Sequence, residues 1–143
     1  MKVYVIDASV AAKWSLPPAE ERFAEEALEL LRRYKTGEVQ FIVPDLFWAE
    51  LANVLWNAAR RGRITRAAAE IALFSAQEEQ FSTVSSQTLL GEAFTIAATF
   101  DRPVYDSLYV ALAIISKTTF ITADEKLANA VSARLPVKLL GSA

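Results

Sequence analysis

Apolar and polar positions along the chain fall into short runs whose spacing switches between strand-like and helix-like. Residues 2–6 (KVYVI) form a β-branched run that meets a carboxylate at Asp7, with helix formers directly behind it. That is the pattern of a buried parallel strand feeding a helix. Ala11, Ala12, Trp14 and Leu16 continue as a short helix that Pro17 and Pro18 stop. Over residues 19–34, Phe23, Ala24, Ala27, Leu28, Leu31 and Tyr34 line one helical face, while Glu21, Glu25, Glu29 and Arg32 line a solvated one. Gly37 ends that element, and residues 39–43 (VQFIV) make a second strand before Pro44.

Residues 45–59 (DLFWAELANVLWNAA) predict a strongly apolar helix capped by Asp45, and a further capped helix starts at Thr65, carrying Ala68, Ile71, Ala72 and Phe74 inward. Residues 81–84 predict a weaker strand. A helix over residues 86–100 turns Leu89, Leu90, Ala93, Phe94, Ile96 and Ala97 inward, and Asp101-Arg102-Pro103 reads as a turn. Then come an apolar helix over 108–115, a strand over 119–122, a helix over 125–131 opened by a Thr122–Glu125 capping box, and a closing strand over 137–140. This alternation predicts an α/β fold, a three-layer α/β/α sandwich around a mostly parallel sheet, forming one domain over residues 1–143.

Composition narrows the chemistry. At 143 residues and 53% hydrophobic content the chain can build a full core, and no apolar run approaches the roughly 18 residues of a membrane span. The surplus apolar surface is expected to enter the core or meet a partner, with Trp14 and Trp48 on the early helices as candidates. Asp7 comes too soon for a signal peptide, which predicts a cytoplasmic protein. There is no Cys and no His, so thiolate nucleophiles, sulfur-held zinc and imidazole bases are excluded. Catalysis would have to rest on carboxylates, hydroxyls or lysine. A formal net charge of −2 argues against a general polyanion-coating protein.

Four carboxylates stand out by position. Asp7 follows the first strand, Glu50 is the sole charge between Asp45 and Arg60, Asp106 precedes the apolar helix, and Asp124 follows the strand at 119–122. In open parallel sheets such strand ends carry the functional groups. Each acid has a bland reading as well: Asp7 and Asp124 as parts of helix caps, Asp106 as a partner of a helix dipole, Glu50 on a solvent seam with Asn53 and Asn57. Carboxylates within ~4 Å of one another repel by roughly 4 kcal/mol at an effective dielectric of 20, a conflict that a divalent cation resolves. Hard oxygen donors favour Mg²⁺ or Mn²⁺, and such an ion makes a bound water a usable nucleophile toward a phosphodiester. Ser9 and Thr122, each two residues from an acid, are candidates to orient a carboxylate. Arg60, Arg61 and Arg63 around Gly62 suit either a helix C-terminus or an RNA backbone.

The segments VIDASV, PDLFWAELANVL, VYDSLYVALA and FITADEKL, spread from residue 3 to 127, resemble the PIN-domain ribonucleases, closest to the VapC-type toxins of toxin–antitoxin pairs. The resemblance implies a Mg²⁺- or Mn²⁺-dependent endoribonuclease acting on single-stranded RNA. Asp7, Glu50, Asp106 and Asp124 would be its acidic tetrad, Asn53 a supporting residue, and a homodimer and a small cognate antitoxin its partners. Two other classes compete. A haloacid-dehalogenase-like phosphoryl-transfer enzyme would want a second Asp where Ser9 stands. A non-catalytic interaction module would use the same fold with capping acids.

Overall fold

A computed structural model describes residues 1–142. Its strands are β1 (Lys2–Ile6), β2 (Val39–Pro44), β3 (Ser82–Val84), β4 (Thr119–Thr122) and β5 (Val137–Leu139). Its helices are α1 (Ala8–Ala11), α2 (Ala24–Lys35), α3 (Leu46–Arg60), α4 (Arg66–Glu78), α5 (Ser86–Phe100), α6 (Val104–Ile115) and α7 (Glu125–Val131). Among the described residues the strands form one sheet, ordered β3-β2-β1-β4-β5, with every pairing parallel. The α/β sandwich read from the alternation is therefore the observed fold.

Strand order reverses direction at β1. The chain moves outward on one side through β2 and β3, then returns past β1 to lay down β4 and β5 on the other. Tyr4 pairs with Thr119 and Ile6 with Ile121, so the carboxyl ends of β1 and β4 emerge side by side. An open α/β sheet places its crevice at such a switch point. Behind it lies α6, packed on β1, β2 and β4. Its residues from Ser107 to Ala113 are all buried, and Tyr109 stacks on Phe120 with ring centroids 5.3 Å apart.

Several inward faces differ from expectation. The second helix begins at Ala24, after Phe23 adopts a left-handed φ of 61°, and it buries Ala24, Ala27 and Leu30 in place of Leu28. On α4, Ile71 and Phe74 are 66% and 62% exposed; the helix lies on α3 through Ala69, Ala72 and Leu73, the two alanines allowing close approach. On α5, Leu89, Ala93 and Ile96 are buried while Leu90 and Phe94 face outward. Both helices carry two apolar stripes, and periodicity cannot say which one meets the core. Trp14 and Trp48, candidates for a partner surface, are partly buried and pack against the core: Trp14 Nε1 donates to the Ala27 carbonyl at 2.9 Å, and Trp48 stacks on Phe81. Asp45 makes no cap for α3; its Oδ1 accepts the Ser86 amide at 3.1 Å and so fastens the start of α5.

Candidate active site

β1 delivers Asp7 to the switch point. Its side chain accepts the Val10 amide at 3.3 Å, which opens α1, so the helix-cap reading holds. The cap is only part of its bonding. Ser9 Oγ donates to Oδ1 at 2.5 Å and Thr122 Oγ1 donates to Oδ2 at 2.6 Å, fixing both oxygens. The same hydroxyls accept backbone amides from the β4 exit, Ala123 onto Ser9 and Asp124 onto Thr122, each at 3.1 Å. Ser9 and Thr122 thus stitch the ends of β1 and β4 around one carboxylate. This overturns the Thr122–Glu125 capping box. Thr122 is fully buried with its hydroxyl engaged by Asp7, and α7 is capped by Asp124, which accepts the Leu127 amide at 3.1 Å.

The pKa directions show which acids face one another. Burial lifts Asp7 from the ordinary carboxylate range to about 6, against the pull of its Ser9, Thr122 and Val10 bonds, and the charge of Glu50 adds to the rise. Burial also raises Glu50, with a bond from Tyr109 opposing and the charge of Asp106 assisting. Asp106 is raised by burial and then by Asp124, with the cation of Arg102 opposing. Four acids from four separate segments therefore repel in sequence, Asp7 with Glu50, Glu50 with Asp106, Asp106 with Asp124.

They form a string rather than the single cluster expected from the sequence. Among the described residues, no group of three or more acids is set closely enough to hold a metal ion as it stands. The donor chemistry still fits a hard divalent cation: oxygen ligands only, three of them kept by burial and mutual repulsion from ionising comfortably.

The remaining candidates divide. Asn53 is exposed on α3, and Asn57 accepts from Arg60 Nη2 at 2.9 Å. Arg63 is tied to Glu20 at 3.1 Å and to Glu21. Gly62, at a φ of 76°, caps the helix carboxyl end, as the structural reading of this cluster required. Arg60 lies ten positions beyond Glu50 on one helix, about 15 Å along its axis, so the arginine cluster stands well away from the acid that α3 supplies.

Two residues escaped sequence reasoning. Tyr109 looked like one more apolar position of α6, yet its hydroxyl donates to Glu50 Oε1 and ties α6 to α3. Burial, that bond and the charges of Glu50, Asp7 and Asp106 all raise its pKa. Its spacing from Asp106, three residues along one helix, was the available signal. Arg102, read only as part of a turn, places a cation near Asp106.

Comparison with known proteins agrees with this geometry. The family described as PIN domain matches residues 4–132. Ribonuclease VapC3 of Pyrobaculum aerophilum is 32% identical over 127 residues, covering 87% of this chain and 92% of that protein. Among solved structures, PAE2754 from Pyrobaculum aerophilum has a TM-score of 0.71 at 23% identity, covering 99% of this chain and 85% of its own. A toxin-antitoxin complex from Klebsiella pneumoniae has a TM-score of 0.62 at 16% identity, covering 96% and 97%.

Proposed function

The chain belongs to the PIN domain family, and from that membership we propose that it is an endoribonuclease that hydrolyses phosphodiester bonds of single-stranded RNA, the toxin of a VapBC-type toxin–antitoxin pair. The observation that supports this most is the string of four acids meeting at the crevice between β1 and β4. Residues 1–143 act as one nuclease domain. Asp7, Glu50, Asp106 and Asp124 would hold Mg²⁺ or Mn²⁺. Such an ion, when bound, supplies a more acidic water and offsets charge on the leaving oxygen.

The chain's own residues prepare that chemistry. Ser9 and Thr122 fix both Asp7 oxygens, so this carboxylate is presented in one orientation. Tyr109 holds one oxygen of Glu50. With neither His nor Cys in the chain, a carboxylate is left as the group to take the proton of the attacking water.

A small antitoxin protein and a second copy of the chain are its protein partners, and the cytoplasm its compartment. Among the described residues no helix is long and apolar enough to cross a membrane. A non-catalytic binding module would also keep Asp7 and Asp124, because both cap helices. Asp106 separates the two readings, since among the described residues it accepts no hydrogen bond and caps nothing. In a fluorescent RNA assay with Mn²⁺, Asp106→Asn abolishes EDTA-sensitive cleavage while leaving the melting temperature at or above wild type. Wild-type cleavage rates in that variant would refute the role of Asp106, and absence of EDTA-sensitive cleavage by the wild type would leave only the binding module.

A further inference from the structure

The amino ends of β1 and β4 frame a second hollow, at the opposite end of the sheet from the acids. Register and the alternation of side chains put Lys2 and Tyr4 of β1, Thr119 and Ile121 of β4, and Lys138 of β5 on one face. Lys117, in the turn that leads into β4, joins them in lining a cavity of about 410 Å³. No Asp or Glu lines it. Its three lysines are exposed, and among the described residues none of them forms an ion pair.

Lys117 holds its place under strain. The chain closes α2 and α3 with Gly37 and Gly62, at φ of 82° and 76°, but closes α6 with Lys117 at 54°, a conformation that disfavours any residue with a Cβ. The turn is tied on both sides: the Thr118 amide bonds to the Ala113 carbonyl at 2.9 Å, and Thr118 Oγ1 donates to the Val3 carbonyl. A cation at a helix carboxyl end complements the dipole, and a lysine on an edge strand such as β5 discourages aggregation. Those roles account for Lys117 and Lys138 one at a time. Neither asks for a glycine position to be given up, nor for Lys2 to face the same acid-free cavity.

We propose that Lys2, Lys117 and Lys138 bind phosphates of the RNA strand outside the crevice, as a second contact at the amino end of the sheet. This rests on the ribonuclease reading. Tyr4 is level with Thr119 and Ile121 with Lys138, so Lys138 lies two strands across from Lys2 and four residues further along, roughly 16 Å at Cα. That spread suits successive phosphates of a chain better than one small anion. β1 itself spans only about 16 Å, so a strand of several extended nucleotides touches the lysines and the acids together.

Single-turnover cleavage of a random-sequence 20-nucleotide RNA pool, with protein in excess and Mn²⁺ present, tests both readings separately. Changing Lys2→Gln, Lys117→Gln and Lys138→Gln together raises the half-saturating protein concentration by about tenfold or more at ~0.1 M salt, where each phosphate contact is worth about fivefold, and leaves the maximal rate within about twofold. In the Asp106→Asn background, fluorescence anisotropy with the same pool shows the slope of log affinity against log salt reduced by about 2, roughly 0.7 for each lysine. Lys117→Gly alone raises the melting temperature and weakens binding about fivefold. A lysine that served only the turn would give the first effect without the second. A control triple, Arg32→Gln with Lys35→Gln and Arg66→Gln, lowers the net charge equally and moves half-saturation by less than about twofold.

If wild type cleaves and the lysine triple keeps wild-type half-saturation and slope, the inference falls, the nuclease reading stands, and the cavity is left to an acidic protein segment. The inference falls equally if the control triple loses as much affinity, since bulk charge would then be the cause, or if only the maximal rate moves. If wild type does not cleave the pool, both readings fall. Should the lysine triple melt below the assay temperature, Lys117→Gly carries the test, and wild-type affinity in that variant overturns the inference.

Discussion

Asp7 carries opposed demands in one carboxyl group. Burial favours its neutral form, while two hydroxyls and an amide favour its anion, and burial wins, leaving it at about 6. Between pH 4 and 6 the folded protein therefore binds more protons than the unfolded chain. Asp7's contribution to the stability of the metal-free fold is greatest below about pH 4 and is lost as pH rises through 6. A shift of about two units corresponds to about 3 kcal/mol. Asp7→Asn in metal-free protein is accordingly expected to gain up to about 3 kcal/mol in urea denaturation at pH 8 and almost nothing at pH 4. Equal gains at both values would show that burial of charge is not the cause. At Tyr109, replacement by Phe leaves the Glu50 carboxylate without its donor and is expected to cost about 1.5–3 kcal/mol. Mn²⁺ affinity measured by calorimetry falls in the same variant, because Glu50 is no longer held in one orientation. The four acids were legible because strand ends and a lone charge in an apolar helix are features of sequence. Tyr109 was hidden because an aromatic in a buried helix is ordinarily core, and its hydroxyl becomes informative only when the facing helix is known.

Among the elements, the turns at helix carboxyl ends repay close reading. α2, α3 and α6 finish alike. The amide two residues past the cap bonds five positions back, Glu38 to Arg33 and Arg63 to Ala58 and Thr118 to Ala113, each at 2.9 Å. This closure needs a left-handed residue, supplied by Gly37 and Gly62 in two cases and by Lys117, at a φ of 54°, in the third. Lys117→Gly is expected to raise stability by about 0.5–1 kcal/mol and Gly62→Ala to lower it by about 1 kcal/mol, both read from denaturant midpoints. On α6, Leu112 is 1% exposed, and Leu112→Ala should cost about 2–5 kcal/mol. Element boundaries were readable where punctuation was sharp, as for Ser86–Phe100 and Glu125–Val131. Facing was not readable where both sides of a helix are apolar, since the choice between Leu89 and Leu90, or Ala69 and Ile71, is made by the neighbour and not by the helix.

For the molecule as a whole, the crevice gathers Glu50 of α3 with Asp7, Asp106 and Asp124, while the arginines gather at the carboxyl end of α3. A cation that binds the folded crevice and not the unfolded chain stabilises the protein by mass action, by about 2.7 kcal/mol at a hundredfold excess over its dissociation constant. Mn²⁺ is thus expected to raise the melting temperature of wild type, and Asp7→Asn to abolish most of that rise at pH 8. A rise that survives in the variant would detach Asp7 from the ion. The fold was legible in full at the level of layers and strand direction, because alternation and right-handed crossovers leave few arrangements. The tightness of the acid grouping was not, since spacing along a chain says which ends converge and nothing about the last few ångströms.

The clasp of Thr122 on Asp7 joins positions 115 apart in the chain. β1 is made before its second neighbour in the sheet, β4, which follows more than a hundred residues later. Until then the leading strand has one open flank and its aspartate lacks one of its two hydroxyl partners. A nascent chain stalled before residue 119 would thus carry most of the hydrophobic core and three of the four acids without a finished blade. Synthesis itself keeps the tool sheathed until β4 has been made.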